Sequence, residues 1–97
     1  MNIHPEAIVA VRFKTPIENG RRTNIPAGRF GCPMRIGDEY FDCRMFFDAE
    51  VELGTLREVG VQFLVPSRAL AKLVLDMPIA LWDGKEVAVG KVKEILT

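Results

Sequence analysis

Period-two alternation of apolar and polar residues, repeatedly interrupted by glycine and proline, is the feature that most limits how this chain can fold. Val9, Val11 and Phe13 alternate with Ala10, Arg12 and Lys14 between Ala7 and Thr15, and Pro16 ends the run. In an extended chain this puts the apolar side chains on one face, as in a half-buried strand. Cys32, Met34 and Ile36 alternate with Pro33 and Arg35, and Phe41, Cys43, Met45 and Phe47 alternate with Tyr40, Asp42 and Arg44. Val59, Val61, Phe63 and Val65 alternate with Gly60, Gln62 and Leu64. That segment is apolar nearly throughout, which predicts a central strand closed by Pro66.

Gly37-Asp38 separates the second and third runs, and glycine at the first central position suits a type II′ turn. A two-residue turn pairs Ile36 with Glu39, Met34 with Phe41 and Cys32 with Cys43. The cysteines are then cross-strand neighbours. Directly opposed Cβ atoms sit about 4.5–5.5 Å apart, whereas a relaxed disulfide wants about 3.5–4.5 Å. The favoured reading is two buried thiols acting as small hydrophobes, with a disulfide or redox pair as the alternative.

Asp48–Glu52 reads as an acidic connection and Gly54 as the start of a turn. Ser67–Asp76 reads as a short helix, with Ser67 as its N-cap and Leu70, Leu73 and Val74 at helical spacing, against a strand as the competing reading. Ile79–Trp82 forms a short strand, Asp83-Gly84 signals a hairpin turn, and Lys85–Leu96 forms the last strand. Its apolar phase shifts at Gly90, which is what a β-bulge looks like in sequence. Six or so short strands in 97 residues indicate a small barrel or sandwich. Barrel closure would also remove exposed strand edges.

At 48% hydrophobic and 27% charged, the chain has the material for one ordinary domain with a core over about residues 7–96. Thirteen Lys and Arg balance thirteen Asp and Glu. Proteins that grip nucleic acid unaided usually carry a basic excess, so tRNA or RNA binding is disfavoured, though a local patch remains open. No apolar run reaches the roughly 18 residues of a membrane span, and Met1–Glu6 lacks the pattern of a signal peptide. A cytoplasmic location with reduced cysteines is expected. Two cysteines and one histidine fall short of a structural zinc site, and no cofactor is expected.

Catalytic constellations are absent from the sequence. His4 stands alone before Pro5, and no P-loop or dinucleotide-binding glycine motif occurs. Asp38, Glu39, Asp42 and Asp48 lie near one hairpin, but their alternation with Arg35 and Arg44 fits a solvated, charge-paired face. The chain is therefore read as a non-enzyme. Two stretches suit binding. Glu18–Gly31 reads as a long loop and carries Arg21, Arg22, Thr23 and Arg29; loops on rigid scaffolds often hold contact surfaces. Trp82, beside Gly84 and Lys85, either plugs the barrel end or anchors a partner.

Three segments together resemble the C-terminal β-barrel domain of elongation factor Tu and related translation factors. Gly20-Arg21-Arg22-Thr23-Asn24-Ile25 with Gly28-Arg29-Phe30 is similar to the family's Gly-Arg-x-Thr-Pro-aromatic and Gly-Tyr-Arg-Pro stretches. Gly54 followed by Val59–Pro66 resembles its Pro-Gly, apolar strand, Pro pattern, and Ile79–Val92 resembles its last hairpin. The resemblance spans about Ala7 to Leu96. It implies a six-stranded antiparallel Greek-key barrel, with one short helix near residues 67–75. In the family this barrel packs beside a GTPase domain and a second barrel and contacts the T-stem of aminoacyl-tRNA. The GTPase domain is not in these 97 residues, so the resemblance implies no GTP hydrolysis by this chain. The family's Tyr-Arg-Pro-Gln becomes Arg29-Phe30-Gly31-Cys32, which puts a cysteine where a glutamine would face tRNA, and one hairpin glycine becomes Ala88.

These observations lead to a free-standing translation-factor-type barrel used as a protein interaction module. Its expected contact surfaces are the Arg21–Arg22 loop and the Trp82–Lys85 hairpin. One partner to consider, on fold analogy alone, is a protein that normally recognises elongation factor Tu, with this chain as its mimic. The alternatives are RNA binding through the same arginines and redox chemistry at Cys32 and Cys43.

Overall fold

Most of the alternating runs become strands in the computed structural model, which describes residues 4–96. Six strands, β1 (Ala7–Phe13), β2 (Gly28–Ile36), β3 (Glu39–Phe47), β4 (Leu56–Phe63), β5 (Pro78–Trp82) and β6 (Glu86–Ile95), close into one antiparallel barrel in the order β1-β4-β3-β2-β5-β6. β2, β3 and β4 follow one another, and β1 returns beside β4, which is Greek-key connectivity. The helix α1 (Pro66–Leu70) lies between β4 and β5.

The inward faces are those the alternation marks. Val9, Val11 and Phe13 of β1, Met34 and Ile36 of β2, Cys43 and Met45 of β3, and Val61 and Phe63 of β4 are all buried. The rings of Phe30 and Phe47 meet Phe13 edge-on at 5.4 and 6.1 Å, a favoured aromatic geometry. The β2–β3 register pairs Cys32 with Cys43, Met34 with Phe41 and Ile36 with Glu39, as the two-residue turn requires. Only Gly37 of the turn has positive φ, at 65°, which is the II′ pattern.

Several sequence expectations are corrected. The expected loop ends at Ala27 rather than Gly31, because Gly28 to Gly31 pair with β3. β4 ends at Phe63, so Val65 is about half exposed instead of continuing the inward face. α1 begins two residues early and ends at Leu70, well short of Asp76: Pro66 takes the first helical position, where its missing N–H costs nothing, and Val65 replaces Ser67 at the N-cap. Of the three expected helix anchors, Leu73 is buried and Leu70 partly buried, while Val74 is exposed. The β5–β6 loop spans three residues, Asp83 to Lys85, with Trp82 opposite Glu86. The irregularities of β6 lie near Val87, where β5 shifts register, and at Lys93, which is skipped between Ile8↔Glu94 and Val9↔Val92. Gly90 itself is in register with both Val11 and Ile79. A Cβ there would stand 2.0 Å from the carbonyl oxygen of Ala10, so this glycine serves close backbone approach and not a bulge.

Candidate functional site

The β1–β2 connection is tied down on both sides. Pro16–Glu18 forms one 3-10 turn, and Asn19 closes it in the left-handed region at φ 64°. The Glu18 carboxylate accepts hydrogen bonds from both terminal nitrogens of Arg12, at 2.8 Å each, and from the Thr15 backbone N–H at 3.0 Å. Further on, Ile25 and Val51 exchange backbone hydrogen bonds at 3.0 and 2.8 Å. Asn24 donates to Glu50 at 2.9 Å and accepts from the Leu53 N–H at 3.1 Å. Gly20 is buried with its N–H bonded to Thr15, and Arg22 and Thr23 lie exposed between the two fixed points.

These contacts hold the Glu18 carboxyl down at about 2, first through the Arg12 hydrogen bond and then through the Thr15 N–H. A carboxyl with a depressed folded pKa contributes stability that is complete above its ordinary value of 4.5 and is lost as pH falls toward 2. The Glu18→Gln variant should accordingly show a flatter acid limb across that window. Urea midpoints of the two proteins should converge as pH drops; equal slopes would mean that the Arg12–Glu18 pair contributes nothing.

Arg21 joins the two surfaces that the sequence offered separately. Its guanidinium reaches Asp83 of the β5–β6 loop at 3.2 Å and lies 5.7 Å over the Phe30 ring, within cation–π range. Lys85 donates to Asn19 at 3.5 Å in a second link between the same segments. Lys14 is bonded to Glu86, and Arg35 lies 3.6 Å from the same carboxylate. Lys14, Arg21 and Arg35 thus meet Asp83 and Glu86 beside Lys85, and Arg22 follows Arg21 on the exposed part of the loop. Four cations with two carboxylates leave this cluster locally cationic, although the whole chain is neutral.

The sequence-selected residues divide within this geometry. Arg21 is engaged in holding the loop to the hairpin. Arg22 and Thr23 are exposed on the loop between the two anchors. Gly84 takes φ 74° and lets the three-residue loop turn. Arg29 is exposed on the outer wall, opposite Phe46. Trp82 does not plug the barrel: it is 39% exposed and its ring packs edge-on against Tyr40 at 5.9 Å. Glu86, Lys14, Arg35 and Tyr40 were missed by sequence reasoning. The first three belong to alternating strand positions that look like any solvated face, and only barrel closure places them together.

Cys32 and Cys43 are both buried and free, and the Cys43 thiol donates to the Cys32 carbonyl at 3.3 Å. The neighbouring Cys32 sulfur and burial push the Cys43 thiol well above the ordinary range, which opposes thiolate chemistry there. No three His, Cys, Asp or Glu side chains converge to hold a metal among the described residues. No helix among them is long and apolar enough to cross a membrane. No protein-family model matches this chain, and a search of curated proteins also finds no match, so the face described above is defined by its own geometry.

Proposed function

We propose that this chain is a non-catalytic interaction module of the translation-factor barrel type, and that its cationic face receives an acidic surface on a protein partner. The observation that carries this reading is the Arg21–Asp83 contact, which merges the arginine loop and the Trp82 hairpin into one face. Two cross-links hold that face in place, so little ordering entropy opposes binding. Exposed Arg22 and partly exposed Lys85 supply charge, and the Trp82–Tyr40 pair supplies apolar area of the kind that anchors interfaces. The resemblance to the elongation factor Tu barrel suggests a partner that recognises that factor.

The local excess of cations also supports the RNA alternative, and salt separates the two. Affinity capture with mass spectrometry should recover partners with the wild-type protein and lose them with an Arg22→Glu, Lys85→Glu variant. Identical recovery would exclude this face. A polarisation titration with tRNA at two salt concentrations should show no binding; tight binding that collapses with salt would favour RNA instead.

A further inference from the structure

A groove of about 710 Å³ runs between the first half of β3 and α1. It is bounded by Tyr40 and Phe41 on one side, Arg68 on the other, and Leu64 and Val65 at the β4 end. Leu64 and Val65 are about half exposed, an unusual state for consecutive apolar residues beside a core strand.

The main chain explains why the groove exists. Glu39 pairs with Ile36 across the hairpin turn, so alternation directs the N–H and C=O of Tyr40 away from β2. On that outer side Asp42 is the last β3 residue bonded to the β4 chain, accepting from the Leu64 N–H at 3.0 Å. The register that pairs Cys43 with Phe63 would bring residue 66 opposite Tyr40. Residue 66 is proline, which has no N–H to give and starts α1 instead. The barrel thus leaves the outward main-chain groups of Tyr40 without a β4 partner, beside the exposed side chains of Leu64 and Val65.

We infer that this groove takes an extended acidic–apolar peptide, which adds to β3 as a short strand at Tyr40. Strand addition satisfies the open main-chain groups, and pockets for alternate side chains give specificity. Charge sets the sequence preference. Lys72 is already paired with Glu39 at 2.9 Å, across the end of the groove near the hairpin turn. Arg68 makes no ion pair among the described residues, so an acidic side chain fits beside α1. Asp42 disfavours a second acid at the β4 end, where Leu64 and Val65 favour an apolar one. This inference does not rest on the cationic face, although Tyr40 borders both surfaces.

The test uses the capped pentapeptide Ac-Val-Glu-Val-Thr-Val-NH2, with a single acid, and amide NMR spectra of the intact protein. Binding should shift the Tyr40, Leu64 and Arg68 amides and slow hydrogen exchange at Tyr40. N-methylation of the central peptide residue should weaken binding about tenfold, because main-chain hydrogen bonds are lost. The Arg68→Ala variant should weaken it by up to about fivefold. No shifts at millimolar peptide, or shifts unaffected by N-methylation, would overturn the inference. So would concentration-dependent dimerisation that protects the Tyr40 amide without peptide, since a second copy would then be the occupant.

Discussion

Replacing Gly90 by alanine should destabilise the barrel by about 3 kcal/mol or more, the upper range of overpacking. The added methyl would lie 2.0 Å from the Ala10 oxygen and 2.9 Å from its carbonyl carbon. These are backbone atoms of a strand hydrogen-bonded on both sides, so no rotamer change relieves the overlap. Gly90 is itself held between Val11 and Ile79. Relief requires parting β1 from β6, the pair that closes the barrel. Gly31→Ala is the control: its methyl would meet only the Cys43 oxygen at 3.6 Å, an ordinary contact. Urea denaturation should show a large loss for Gly90→Ala and little change for Gly31→Ala. Equal midpoints for the two variants would mean that the strands part more easily than this packing implies.

Phe13→Ala should cost about 3–5 kcal/mol through lost burial and the cavity left behind. Phe13 is fully buried, and the rings of Phe30 and Phe47 both pack against it. It also supports the candidate site, since the Arg21 guanidinium lies over the Phe30 ring. In a domain of this size such a loss lowers Tm by roughly 12–40 °C. Thermal unfolding followed by circular dichroism reads it directly; a shift of only a few degrees would show that the neighbouring rings collapse into the space.

A further consequence separates Phe13 from Trp82. Trp82→Ala removes a ring that lies outside the barrel against Tyr40, so it should leave Tm nearly unchanged while weakening partner capture.

The sequence by itself determined the strands and one register. On β2 and β3 the apolar residues alternate up to a two-residue turn, and a one-residue slip would turn every core side chain outward. Only one alignment survives, and it places Cys32 opposite Cys43. The start of α1 was less legible, because Ser67 and Pro66 are both good openers and the choice depends on where β4 stops. Gly90 was ambiguous for a related reason. A glycine in a strand signals either a bulge or a close approach, and only the neighbouring strand shows which.

The tertiary structure alone decided closure, and with it both surfaces. Arg21 and Asp83 are 62 residues apart, and nothing local to either specifies the other. β6 joins β1 on one side and β5 on the other, and β5 joins β2, which together draw Lys14, Arg35 and Glu86 to one face. The open edge at Tyr40 arises the same way, from a proline that becomes its would-be partner only once β3 and β4 are in register. Periodicity fixes which side of a strand is apolar. Which charged residues then become neighbours is set by the order in which the strands close.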